Sequence, residues 1–282
     1  MRIAITGGNS QLAREFANLS KSLYKIDIFL RTQLDICNYS QIEEVLSRQP
    51  YDVLLNCAAY NDVDGAESNL NENFAVNATG PMLLSKACKK LNINMIHLST
   101  DYAFSSDYPV YFDIDDRPCP SNLYGRAKVE GEQAVIETCK NQSLVVRTSW
   151  LYGMYGGKFV HKIVSEANDR KSIKVVDDQY GQPTCTYKLA KYLIVRINKN
   201  EFDGIRHFTG IGICSRYELA CEIYKLMGVQ PGLITPVSTK EFPTKAKRPS
   251  YSLLKNESDW IESDEDDWKN DLQTVVEKLN SK

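Results

Sequence analysis

Short apolar runs separated by stretches of helical periodicity set the tightest limit on what this chain can fold into. The runs at 2–6, 26–30, 52–57, 93–99, 143–148 and 173–176 read as strands, and the pattern between them predicts helices near 11–22, 40–48, 70–90, 122–139, 158–169 and 186–198. Strands apolar on both faces, each followed by a helix, belong to a parallel sheet covered on both sides. The expected fold is therefore α/β, a Rossmann-type doubly wound parallel sheet with a smaller C-terminal substrate-binding lobe. Residues 1–152 plus about 173–210 are assigned to an NAD(P)-binding domain, and about 153–172 plus 211–282 to the substrate-binding lobe. Ile205–Thr209 is a further candidate strand, and Ser215 is placed to cap a helix running to Met227.

The first unit, Arg2–Thr6 followed by Gly7-Gly8-Asn9-Ser10-Gln11-Leu12-Ala13, is a strand, a glycine turn and a helix start. Free backbone N–H groups and the positive helix end make that a setting for a dinucleotide pyrophosphate. Where a G-x-x-G-x-x-G spacing would repeat glycine, this chain has Gly7, Ser10 and Ala13. Ala13 keeps the small size that helix packing requires, whereas Ser10 adds a hydroxyl that can itself donate to phosphate. An acid after the second strand would bind the adenosine ribose, but here Arg31 and Thr32 follow. A cation and a hydroxyl suit a 2′-phosphate, so NADPH is favoured over NADH, although such an Arg is equally compatible with a solvated side chain.

Tyr124 and Lys128 lie four apart at the start of a predicted helix, so phenol and ammonium share one face. A tyrosine near its ordinary pKa of about 10 is a poor acid or base at neutral pH, and a nearby cation brings it closer to the working range. Thr100 ends the apolar run from Ile93, placing its hydroxyl at the carboxyl edge where parallel sheets bind ligands. A Tyr-x-x-x-Lys pair alone is commonly the outer face of a helix. Its weight comes from following a glycine turn, Asn56-Cys57-Ala58-Ala59-Tyr60 and Ser99-Thr100-Asp101-Tyr102 in that order.

With these segments the chain resembles the extended short-chain dehydrogenase/reductases, and within them the dTDP-4-dehydrorhamnose reductase family. The likeness also runs through Leu34-Asp35-Ile36, Val76-Asn77-Ala78, Arg147-Thr148-Ser149-Trp150-Leu151-Tyr152-Gly153, Gly181-Gln182-Pro183-Thr184 and Arg248-Pro249-Ser250. The resemblance implies that Tyr124 protonates the substrate carbonyl oxygen, that Lys128 lowers the Tyr124 pKa and holds the nicotinamide ribose, and that Thr100 hydrogen-bonds the same oxygen. It implies that Gly7, Asn9, Ser10, Gln11 and Leu12 line the pyrophosphate, that Asp35 and Ile36 flank the adenine, and that Ala58, Ala59 and Tyr60 run past the nicotinamide half. Asp101, Tyr102 and Trp150 would face the sugar. The implied reaction is reduction of the 4-keto group of a nucleotide-linked deoxysugar. The family also carries an expectation of a homodimer, in some members with Mg at the subunit contact.

Relatives of this fold dehydrate or epimerise nucleotide sugars, but a dehydratase needs an Asp-Glu pair after the Thr, and here Asp101 is followed by Tyr102. The resemblance extends to the regulatory beta subunit of methionine adenosyltransferase, a binding protein, against which the complete Thr100, Tyr124 and Lys128 set argues. Composition agrees with a cytoplasmic enzyme. A 282-residue chain that is 43% hydrophobic can bury a large core. A net charge of −2 offers no basic excess for nucleic acid. Eight cysteines without C-x-x-C spacing read as reduced thiols rather than a metal site. With no leader and no apolar run long enough to span a bilayer, no membrane association is expected. His97, His161 and His207 stand outside any nucleophile-base motif, Asp177-Asp178 reads as a strand end, and Lys245-Ala246-Lys247-Arg248 as either a phosphate contact or an exposed turn. The acidic stretch Glu262–Asp267 reads as a solvated loop or helix start.

Overall fold

The computed structural model describes residues 1–156, 158–257 and 267–281. Six parallel strands form the central sheet: β1 (Arg2–Thr6), β2 (Lys25–Ile28), β3 (Val53–Asn56), β4 (Asn94–Thr100), β5 (Ser143–Thr148) and β7 (Ile205–His207). Their spatial order is β2-β1-β3-β4-β5-β7, with Ile3 opposite both Ile26 and Val53 and Ser99 opposite Arg147. The order reverses direction between β1 and β3, and open sheets of this kind bind ligands in the crevice at the carboxyl ends flanking that point.

Helices cover both faces because alternate strand residues point to opposite sides. Ile3, Ile5, Leu55 and Val146 face α1 (Gln11–Ser20) and α6 (Thr186–Asn198) through Leu12, Phe16, Leu189 and Leu193. Ala4, Leu54, Met95 and Val145 face the other layer, α2 (Tyr39–Ser47), α3 (Gly80–Leu91) and α4 (Leu123–Cys139), through Ile42, Leu84 and Val135. The doubly wound Rossmann-type sheet is as the apolar runs predict. The helix expected over 70–90 is present and carries a π-turn at Ala75–Thr79, whose Asn77 carbonyl lies so close to α4 that a Cβ on Gly131 would stand 2.2 Å from it.

A separate apolar cluster gathers Val160, Ile163, Leu219, Ile223 and Leu272 from α5 (Lys158–Asn168), α7 (Arg216–Leu226) and α8 (Trp268–Asn280). The strand at 173–176 is a correction to the sequence reading. As β6 (Ile173–Val176) it pairs in parallel with β8 (Ile234–Val237) in a two-stranded sheet beside this second cluster, not with the central sheet. The Ser215 cap is present as a full capping box with Glu218. Asp178 closes the end of β6 by accepting from Thr239. Of the acidic stretch, Glu262–Asp266 falls outside the described residues, while Asp267 caps α8 through the Lys269 N–H. No helix among the described residues is long and apolar enough to cross a membrane.

Candidate active site

The first loop turns at Gly7, whose φ of +66° and whose approach to Ala58 leave no room for a side chain: a Cβ would stand 2.5 Å from the Ala58 nitrogen. Ser10 then caps α1 by accepting from the Ala13 N–H at 3.2 Å, which turns the first N–H groups of the helix toward the strand ends. Opposite, the segment after β3 is fixed by Asn77, which accepts from the Tyr60 N–H and donates to the Tyr60 carbonyl, both at 3.0 Å. The π-turn thereby holds the 57–60 loop in place.

The catalytic candidates meet at the carboxyl end of β4. Asn122 caps α4 through the Gly125 N–H at 2.8 Å, and Gly125 lets the helix start against the Tyr102 carbonyl. Tyr124 and Tyr102 meet edge to face at 6.1 Å. Thr100, Asp101, Tyr102, Tyr124 and Lys128 line one cleft with Asn9, Ser10, Gln11, Leu12, Ala59 and Trp150. Its empty volume is about 1420 Å³ including the part open to solvent. Burial pushes the Tyr124 phenol well above its ordinary pKa, and the Thr100 hydroxyl pulls in the opposite direction. The Lys128 Nζ donates to the Leu98 carbonyl at 2.6 Å, and burial lowers its pKa to about 8.

Beneath these residues lies a charged pair. Glu132, one turn beyond Lys128, accepts from Arg147 Nη2 at 2.7 Å and Nε at 3.0 Å and from the Ser99 hydroxyl. Their side chains are 1% and 2% exposed. The pair ties α4, β4 and β5 together at the level of Thr100. Asp101 accepts from Ser252 at 2.6 Å and from Thr100 at 3.1 Å, and burial raises its pKa to about 6.

Other expected site residues lie off the cleft. Arg31 is exposed beyond β2 and paired to Glu72 at 3.2 Å. Asp35 is half-buried, and Ile36 is packed into the core against Gly80. Ala58 and Tyr60 contribute backbone next to Gly7 and Asn77. Arg248 is committed to Asp64 by two bonds of 3.0 and 2.9 Å. His97 is buried against Asn56, His161 binds the Gly153 carbonyl, and His207 sits beside Arg147. Among the described residues no group of three His, Cys, Asp or Glu stands together as a metal site.

The fit of a dinucleotide rests on polar atoms of the cleft. Gln11 Oε1, Thr148 Oγ1 and Trp150 Nε1 are buried without a hydrogen-bond partner among the described residues, and all three residues line the cleft. Buried polar atoms are normally satisfied, so these are poised for a polar ligand. Sequence reasoning missed Thr148 in this role and missed Arg216, which enters the cleft from α7.

The family model for the RmlD substrate binding domain matches residues 1–281. This chain belongs to the RmlD family. RmlD-family relatives include dTDP-4-dehydrorhamnose reductase of Mycobacterium tuberculosis, 37% identical over 90% of this chain and 84% of that one. Another is dTDP-4-keto-6-deoxy-D-glucose reductase of Streptomyces niveus, 33% identical over 93% of this chain and 91% of that one. Among solved structures, dTDP-4-dehydrorhamnose reductase from Bacillus anthracis in complex with NADP superposes with a TM-score of 0.92 at 34% identity, covering 98% of this chain and 99% of the other.

Proposed function

We propose that this RmlD-family protein is an NADPH-dependent reductase of the 4-keto group of a nucleotide-linked deoxysugar, with dTDP-4-dehydro-L-rhamnose as substrate and dTDP-L-rhamnose as product. The observation that carries the reading is the convergence of Thr100, Tyr124 and Lys128 with the capped start of α1 in one cleft. Asn9, Ser10, Gln11 and Leu12 hold the cofactor pyrophosphate at the positive end of that helix. Gln11 Oε1 and Thr148 Oγ1 supply acceptors farther along. When bound, NADPH supplies the hydride that reduces C4.

The chain's own residues manage the oxygen. As charge develops on the carbonyl oxygen, Tyr124 gives it a proton and Thr100 turns its single O–H from Asp101 onto the same oxygen. Burial serves this direction of reaction, because it keeps the phenol protonated until the stronger base appears. Lys128 spends one N–H on Leu98 and keeps two for the nicotinamide ribose hydroxyls. Asp101, Tyr102 and Trp150 receive the sugar. Arg31 favours a 2′-phosphate, since its ion pair with Glu72 is exposed on both sides and weakly held. The lobe built on α5, α7 and α8 closes the sugar side, and the enzyme works in the cytoplasm as a homodimer.

Tyr124→Phe tests the reading. Turnover of dTDP-4-dehydro-L-rhamnose, followed by nicotinamide absorbance, should fall by roughly 10²–10⁴-fold, with NADPH affinity unchanged. Near-normal turnover in that variant would overturn the assignment.

A further inference from the structure

Arg216, the first residue of α7, is unlike the protein's paired arginines. Arg147, Arg196, Arg206 and Arg248 each pair with a carboxylate, whereas the Arg216 side chain lines the cleft with no ion-pair partner among the described residues. Arg216 is half-buried, and its guanidinium presents five donors in a fixed fork that suit a ligand's acceptors.

Its position is fixed from behind. Arg216 Cζ stands 3.4 Å from the Trp150 ring centroid and 5.1 Å from that of Phe159. The indole is braced in turn against the backbone of Gly181, where a Cβ would stand 2.3 Å from Trp150 Cε2. Trp150 itself has a φ of +42°, a left-handed conformation a tryptophan adopts only when its surroundings impose it. Stacking holds the guanidinium plane without using its N–H groups, so the fork stays free for a ligand.

The charge layout selects the ligand. The cofactor pyrophosphate has its own place at the start of α1, on the central-sheet side. Lys128 is bonded to Leu98 with its other donors on the cofactor ribose, and Lys158 lines the rim with an exposed side chain. Arg216 comes from the second cluster and lines the same cleft as Asp101 and Tyr102. A nucleotide sugar brings a second diphosphate into this cleft, and a desolvated diphosphate needs a positioned cation. We propose that Arg216, stacked on Trp150, is a specificity-determining residue that binds the diphosphate of the nucleotide-sugar substrate. The proposal rests on the reductase reading and extends it.

Calorimetric titration of the NADPH-saturated protein with dTDP, and with thymidine as the phosphate-free control, tests it in wild type, Arg216→Ala and Arg216→Lys. Arg216→Ala should weaken dTDP binding roughly 10–100-fold, the loss of a charge-assisted bond pair. Arg216→Lys should recover part of that loss, with thymidine and NADPH binding equal in all three. Unchanged dTDP affinity in Arg216→Ala, or equal losses for dTDP and thymidine, or a loss confined to NADPH, would overturn the proposal. If wild type reduces the sugar and Arg216→Ala does so with the same KM, only the role of Arg216 falls. If wild type with NADPH bound neither binds dTDP nor turns over the sugar, the reductase reading falls and takes the proposal with it.

Discussion

Glu132→Leu puts the pair beneath the active site to a quantitative test. The substitution leaves the Arg147 guanidinium 2% exposed, with His207 Nε2 at 3.3 Å and the Phe104 ring centroid at 5.0 Å as its remaining neighbours, and it strips the Ser99 hydroxyl of its acceptor. Breaking one side of a buried ion pair costs about 3–5 kcal/mol, because the surviving charge stays buried without compensation. At an unfolding entropy of roughly 2.1 cal/mol/K per residue, that corresponds in a 282-residue chain to a fall in Tm of about 5–8 °C. Adding Arg147→Met removes the stranded charge and should restore most of the loss, since buried pairs exchange well for apolar side chains of similar size. Thermal unfolding followed by circular dichroism reads both variants. A single variant melting within about 2 °C of wild type, or a double variant no more stable than the single, would refute the reasoning. Because Ser99 precedes Thr100, the single variant should also lose turnover more than cofactor affinity.

Lys128, with its pKa brought down to about 8, loses its charge as pH rises through that value, so turnover should decline there with the hold on the ribose. Stability should move the opposite way. Between about 8 and the ordinary 10.5 the unfolded chain holds a proton that the folded one has released, so unfolding free energy rises with pH, and that rise should be missing from the pH profile of Lys128→Met. Gly7→Ala forces a Cβ into a left-handed turn against Ala58; denaturant unfolding should show a loss of at least about 1–2 kcal/mol, and NADPH titration should show weakened binding.

Much of this molecule can be read from its residues, and the parts that cannot have identifiable reasons. The apolar runs locate β1, β3, β4 and β5 because a strand buried on both faces has no polar alternation to blur it, whereas β2 is a half-exposed edge strand. The same signal misplaced 173–176, since a short apolar run says that a strand is buried but not which strand it pairs with. Thr100, Tyr124 and Lys128 are legible through spacing, and their meeting in one cleft follows from the strand ends. That Glu132 and Arg147 pair is not written in their spacing, and only the packing of α4 on β5 brings them together. Arg216 has no motif around it; its position depends on how the second cluster sits against Trp150. The turning of Lys128 onto Leu98 is a matter of rotamer, which residue spacing does not specify.

Asn122 does two jobs with one amide. Its oxygen caps α4 at the Gly125 N–H, and its nitrogen donates to the Lys247 carbonyl at 3.0 Å. The strap carrying Lys247 is also held by Arg248 on Asp64 and continues to Ser252, which donates to Asp101. The helix that carries Tyr124 is thus capped by a residue that also grips this strap. Drawing that strap away would unseat the amide that orders the first turn around Tyr124 and remove a donor from Asp101 in the same motion. The order of the first turn around Tyr124 and the hydrogen bonding of Asp101 therefore hang on one and the same strap.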